Sequence, residues 1–330
     1  MWIAPGRWSS SYSGLGSTST SCAPLATTLR TSSRRISLGI SDSPTPYSRP
    51  LLMLSIGDLV LDITIVPKAR LRVDDDNPAQ ISVGGGGQAA NFCAWAAHLG
   101  EPARLVTRVG DDEGGRLLVA ELEAAGVDVR PVWATQPTGA IAVLVGPNGE
   151  RTMATQRGAS VGLTPDDLDE KWFEGTRLIH IPAYSLFETP LADAARAAIA
   201  FVRRTGGALA IDLSSAAGLQ AYGPARMTRD LVELAPELLF ATEAEAAALG
   251  VPLEGLAKIE VVKLGSSGCS VSGRLVASPA VDVVDATGAG DALAAAFCSA
   301  YLRGATPIEA AQHAVEVAAT AVTTIGARPR

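Results

Sequence analysis

The chain has 330 residues, 47% of them hydrophobic and 18% charged, which is enough apolar material for a large core in one or two domains and excludes a disordered or fibrous protein. A formal charge of −7 argues against nucleic acid or an anionic membrane surface as the main partner, so any phosphate site has to be local. No apolar run approaches the roughly 18 residues of a membrane span, and Cys22, Cys93, Cys269 and Cys298 form no CxxC pair, which suits buried thiols in a reducing cytoplasm rather than zinc ligands or disulfides.

Residues 1–50 are rich in Ser, Thr, Pro and Gly and hold five arginines and one aspartate, a charge of +4 that leaves −11 on the remainder. They are expected to be a disordered leader or a non-native extension, outside a domain spanning 51–330. From Leu51 the pattern alternates. Leu51 to Ile65 reads as a strand interrupted at Gly57-Asp58, Ala89 to Leu99 as a helix ended by Gly100, Ala103 to Val109 as a strand, and Gly114 to Ala125 as a helix ended by Gly126. Thr138 to Val145 and Arg151 to Gln156 flank Pro147-Asn148-Gly149 as a hairpin. Strands at Leu178 to Ile181, Ala208 to Leu213, Leu238 to Ala241 and Glu260 to Leu264 then alternate with helices at Pro190 to Arg204, Thr228 to Ala235 and Glu243 to Leu249. Two Ala-rich helices follow, Asp291 to Arg303 and Pro307 to Ile325. The alternation predicts an α/β fold with a mostly parallel central sheet, and the hairpin predicts a small accessory sheet.

Two glycine clusters carry the chemistry. In Asp285-Ala286-Thr287-Gly288-Ala289-Gly290-Asp291, at a helix start, successive backbone N–H groups around Gly288, Ala289 and Gly290 can face one anion with the helix dipole behind them. Asp291 in the first helical turn is either a favourably placed acid or a catalytic base beside a transferring phosphate. In Gly84-Gly85-Gly86-Gly87-Gln88-Ala89-Ala90-Asn91, side-chain-free backbone admits a polyhydroxylated ligand and Asn91 can donate and accept. Asp58 is a charge in an apolar run that needs a polar partner, either a sugar's vicinal hydroxyls or the strand end at Gly57.

Together these motifs resemble the ribokinase (PfkB) family of ATP-dependent sugar and nucleoside kinases. Gly86-Gly87-Gln88-Ala89-Ala90-Asn91 is similar to the family's first signature and Asp285 to Asp291 to its second. Val109 to Gly115, Ala124 to Val127 and Val261 to Gly268 also match family stretches, in family order. The resemblance implies a ribokinase-like three-layer α/β/α fold with a β-sheet lid built from strands within about 64–83 and 138–156. It implies Asp291 as base and Gly288, Ala289 and Gly290 as anion hole, with Asp58, Gly86, Gly87 and Asn91 on the sugar. ATP would lie over Lys263, Gly265, Gly268 and Thr242; Glu245 would meet Mg2+ through water, and Asp285 and Thr287 would hold a monovalent cation such as K+. Lids of this kind often pair between subunits, which suggests a homodimer.

Thr242-Glu243-Ala244-Glu245 departs from the family's usual Asn-x-x-Glu by its threonine. Arg157 can reach the site and favour an acidic or phosphorylated sugar, or can be a surface arginine. A nucleoside acceptor and a non-catalytic sugar or nucleotide sensor stay open as alternatives. A Walker P-loop is excluded by the absence of GxxxxGK[ST], and a dinucleotide oxidoreductase is disfavoured because Gly84 to Gly87 opens no GxGxxG unit.

Overall fold

The computed structural model describes residues 51–146 and 151–329. The order begins with β1 (Leu52–Ile56), β2 (Val60–Pro67), β3 (Ala79–Gly86), α1 (Gln88–His98), β4 (Ala103–Gly110), α2 (Glu113–Ala124), β5 (Val127–Ala134), β6 (Thr138–Val145) and β7 (Arg151–Gly158). It continues through β8 (Thr176–Pro182), α3 (Tyr184–Phe187), α4 (Leu191–Arg204), β9 (Ala208–Asp212), α5 (Ala216–Tyr222), α6 (Pro224–Leu234), β10 (Leu238–Thr242) and α7 (Glu243–Leu249). It ends with β11 (Ile259–Lys263), β12 (Cys269–Val271), β13 (Arg274–Val276), α8 (Ala289–Leu302) and α9 (Pro307–Ala321).

Among the described residues, nine strands form one sheet in the order β13-β12-β11-β10-β9-β8-β1-β4-β5, parallel from β11 to β5 and antiparallel at the β12 and β13 edge. Strand alternation sends neighbouring residues to opposite faces. Met53 of β1 packs with Phe92, Phe240 and Phe297 under α1, α8 and α9, whereas Leu54 and Ile56 pack with Leu191, Ile199 and Leu231 under α4 and α6. Both faces are therefore covered, the three-layer arrangement that a parallel sheet of near-continuous apolar strands requires. Cys93, Cys269 and Cys298 are free and buried within this packing.

A second sheet, β3-β2-β6-β7, forms the lid. The expectation of one interrupted strand over Leu51 to Ile65 is corrected here: β1 belongs to the large sheet and β2 to the lid, because the chain breaks sheet at Gly57-Asp58 and changes partner. β6 and β7 pair antiparallel as the hairpin requires; its turn at Pro147 to Gly149 lies outside the described residues, as do residues 1–50, expected to be a disordered leader or a non-native extension. Asp112 anchors the lid to the body. It caps α2 through Gly115 N–H (2.8 Å) and accepts Thr138 N–H (2.8 Å) and Oγ1 (2.7 Å) at the start of β6. Burial pushes this carboxyl's pKa up, but those hydrogen bonds outweigh it and hold the group below the usual range.

Three strands and two helices, α5 and the four-residue α3, were not foreseen. β5 carries Pro131, which reads as a breaker yet is tolerated because β5 pairs only with β4 at the sheet's edge. β12 and β13 are three residues each, too short for a period, and α5 hides behind Gly218. Among the described residues no helix is long and apolar enough to cross a membrane.

Candidate active site

The carboxyl ends of parallel strands are where open α/β sheets place ligands. Here a cleft of about 580 Å³ opens beneath the lid, lined by Asp58 just past β1, Ser214 just past β9, Thr242 ending β10 and Lys263 ending β11. Gly87, Gln88 and Asn91 from the start of α1 close one side, and Thr287, Gly288 and Asp291 at the start of α8 close another. The two glycine clusters, about 200 residues apart in sequence, thus face the same space.

Gly288 is the N-cap of α8 in the left-handed region (φ 76°), and a Cβ there would fall 2.2 Å from the Ala327 carbonyl oxygen, so only glycine fits this turn. Asp285 holds the turn from below: Oδ1 accepts Thr287 N–H (2.9 Å) and Oγ1 (2.6 Å), and Oδ2 accepts Gly326 N–H (3.0 Å). Asp291 accepts the Asn91 amide at 2.9 Å through Oδ2. Burial, reinforced by the charge of Asp212, pushes the Asp291 pKa up to about 7, while Asn91, Lys263 and Gln88 pull it down. A carboxylate poised near neutral pH beside backbone amides is suited to take a proton from an alcohol as charge moves onto a phosphoryl group.

At the lid end, Arg157 of β7 donates to both oxygens of Asp58, Nε to Oδ2 and Nη2 to Oδ1, each at 2.8 Å, and lies 5.7 Å from the Tyr184 ring centre. Both side chains are about 85% buried, so this is a bidentate pair in the cleft wall rather than a surface arginine. Gly87 (φ 97°) lets the chain pass the Asp58 carbonyl, where a Cβ would sit 2.1 Å away. Gly86 is occupied differently from the expectation: the carboxyl of Asp62 covers its open face, and Gly86 does not line the cleft.

The third wall is a buried ion pair. Lys263 Nζ donates to Asp212 Oδ1 (2.9 Å) and Oδ2 (2.7 Å), with Asp212 fully buried, and lies near Gly290 at the start of α8. Burial pulls the lysine's pKa down, but Asp212 and Glu245 outweigh it, so the ammonium stays charged. Thr242 and Glu245 form a capping box on α7: Thr242 N–H donates to Glu245 Oε2 (2.7 Å), and Glu245 N–H donates to Thr242 Oγ1 (3.2 Å). Among the described residues no three His, Cys, Asp or Glu converge to hold a metal. Such a cleft suits a magnesium ion that keeps mainly phosphate and water ligands; Glu245, expected to meet it through water, is buried outside the cleft lining with Oε2 taken by Thr242 N–H. Gly265 and Gly268 lie outside the cleft lining, in the turn from β11 to β12, where Gly268 (φ 100°) passes close to the Val276 carbonyl.

Sequence reasoning missed Asp212, Gln88 and Arg328. Asp212 left a signal, a lone charge ending the apolar strand Ala208–Asp212, with Ser214-Ser215 just beyond Leu213. Gln88 and Arg328 left none, because only the fold brings them to Asp291 and Asn91.

Comparison with known proteins agrees with this geometry. Over 273 residues the chain is 34% identical to an ATP-dependent ribose-1-phosphate kinase of Halopiger xanaduensis, covering 76% of this chain and 84% of the relative. It is 29% identical to a 2-dehydro-3-deoxygluconokinase of Thermoproteus tenax, over 86% of this chain and 91% of the relative. The crystal structure of an adenosine kinase from Sinorhizobium meliloti superposes with a TM-score of 0.74 at 26% identity, covering 84% of this chain and 95% of that one. The pattern of the pfkB family carbohydrate kinases matches residues 51–330, and the chain belongs to that family of sugar and nucleoside kinases.

Proposed function

We propose that this kinase transfers the γ-phosphoryl group of ATP to a hydroxyl of a small sugar derivative bearing an acidic or phosphate group. The observation that carries the reading is Asp291, with a pKa of about 7, placed at the amide-rich turn Gly288 to Gly290 and facing the cleft. The acceptor oxygen attacks the γ-phosphorus and its proton passes to the Asp291 carboxylate. The bond from that phosphorus to the bridging oxygen breaks, and ADP leaves with the electron pair. N–H groups of Gly288 and Gly290, the Ala289 N–H once it leaves its long contact with the Ala286 carbonyl (3.4 Å), and the Lys263 ammonium hold the charge on the equatorial oxygens, which is where a loose transition state carries it. Magnesium, carried on the nucleotide, neutralises further phosphate charge.

Asp58, Gly87 and Asn91 position the sugar, with Gly86 set behind them under Asp62. ATP runs past Thr242 and Lys263 toward the Gly265 to Gly268 turn. Arg157 supports the anionic substrate: its guanidinium is held at the sugar end by Asp58 and has donors to share with an acid. The two curated relatives described above, by name, act on a sugar phosphate and a sugar acid. A monovalent cation such as K+ would sit at the Asp285 and Thr287 loop, and omitting K+ from the assay tests this. On the edge strand β3, Ile81 (61% exposed) and Val83 (62%) offer an apolar strip for a second lid, which sedimentation at several concentrations tests.

The deciding experiment is ATP consumption with magnesium across pentoses, hexoses, sugar acids, sugar phosphates and nucleosides. ADP release strictly dependent on an anionic sugar is expected. A preference for neutral nucleosides, or no acceptor dependence, would overturn the reading.

A further inference from the structure

Arg328 lies beyond α9 yet reaches under the lid. The two residues before it are pinned, by Gly326 N–H on Asp285 Oδ2 (3.0 Å) and by Trp95 Nε1 on the Ala327 carbonyl (3.0 Å). The Arg328 side chain is 13% exposed. Nε donates to Asn91 Oδ1 (3.1 Å) and Nη2 donates to the Gly86 carbonyl at the end of β3 (2.9 Å). Nη1 has no hydrogen-bond acceptor and stands 3.9 Å from Glu121 Oε2. A Cβ on Gly85 would fall 2.0 Å from Nη1, so the glycine at this position is the space the guanidinium occupies.

A guanidinium only donates, so the Asn91 atom facing it has to be the amide oxygen, and the amide nitrogen is thereby turned toward Asp291, to which it donates at 2.9 Å. We propose that Arg328 is a positioning residue for phosphoryl transfer, locking the Asn91 carboxamide with its N–H side on the Asp291 carboxylate and tying that pair to lid strand β3. The proposal rests on Asp291 being the base. It couples lid and base through one side chain: a shift of the Gly86 carbonyl moves Arg328, and with it the donor that holds Asp291 in its ionised form. The other groups facing Asp291 are Gln88 on α1, Asp212 on β9 and Lys263 on β11, and the Arg328 charge itself also acts directly on Asp291.

The test is a double-mutant cycle of Arg328→Met with Asn91→Ala, read as kcat, ATP KM and the acid limb of the kcat profile, with Asp291→Asn alongside. Arg328→Met should lower kcat about tenfold, the loss of one charge-assisted hydrogen bond, with ATP KM unchanged. Its acid limb should move to higher pH, because Asp291 loses the donor that favours its charged form. In the Asn91→Ala background the same change should cost clearly less in kcat, with only the direct effect of the lost Arg328 charge on Asp291 remaining, and Arg328→Lys, which can reach one acceptor, should recover part of the loss. Gly85→Ala keeps the arginine but displaces its head and should act in the same direction, which keeps the test decisive should Arg328→Met fail to fold. Equal losses in both backgrounds, or an unmoved acid limb in folded Arg328→Met and Gly85→Ala, would overturn the proposal while an inactive Asp291→Asn leaves the base in place. A fully active Asp291→Asn would instead remove the base and this proposal with it.

Discussion

Replacing Asp291 with Asn should stabilise the fold while it destroys the activity, and the gain should grow with pH. The carboxyl moves from an ordinary value of 3.8 to about 7 on folding. A group whose folded pKa is raised contributes stability that is fully present below the unfolded value and is lost as pH rises through the folded one. The penalty therefore builds between about pH 4 and pH 7 and then stays constant. At 1.36 kcal/mol per pKa unit it reaches about 4 kcal/mol, an upper bound because the cleft admits water. Asn91 and Gln88 can still hydrogen-bond the isosteric amide, so most of the geometry survives. A pH scan of the parent alone would hide the effect. His180, stacked on Phe92 with ring centres 4.0 Å apart, has its pKa lowered to about 4 by burial, so its contribution is present above pH 6.5 and lost as pH falls toward 4. The two trends oppose each other. Urea denaturation of parent and variant at pH 5, 6, 7 and 8 isolates Asp291 in the difference, which should rise toward neutral pH and level off above it. A difference that is flat, or a variant less stable than the parent at pH 8, would refute the reasoning.

Arg157→Ala should raise KM for an anionic acceptor by about tenfold or more relative to its neutral analogue, since the guanidinium donors not committed to Asp58 are lost to the anion alone; equal changes for both acceptors would count against the anion site. Lys263→Met leaves the fully buried Asp212 without its partner and should cost about 3–5 kcal/mol in urea denaturation, partly restored by adding Asp212→Asn. Asn91→Ala should raise sugar KM far more than ATP KM and shift the acid limb of kcat upward, because Asp291 loses a donor; an unshifted limb would show that Asn91 acts on the sugar alone.

The layered fold was legible because its signals are local. Runs such as Leu238 to Ala241 between helical segments read directly as buried parallel strands, and the residue types of Asp285 to Asp291 marked a glycine turn at a helix start, which is where α8 begins. The lid strand β2 was read as the tail of β1, because periodicity does not say which sheet a strand joins. The cleft's electrostatics were the least legible part. Asp58 advertised a missing partner without revealing that Arg157 supplies it from 99 residues away. Asp212 and Lys263, 51 residues apart, become a pair only when β9, β10 and β11 align. The Gly84 to Gly87 run suggested an open floor for a ligand, yet Asp62 and Arg328 fill two of its positions, since long side chains from distant segments use the same space.

The central claim is that Asp291 takes the acceptor's proton beside a backbone cradle for the γ-phosphoryl group. Turnover of parent and Asp291→Asn with the best acceptor, beside calorimetric Kd values for ATP and sugar, tests it most directly. A fall in kcat of about 10²–10⁴-fold with both Kd values nearly unchanged is the predicted result, whereas kcat within threefold of the parent would contradict the account.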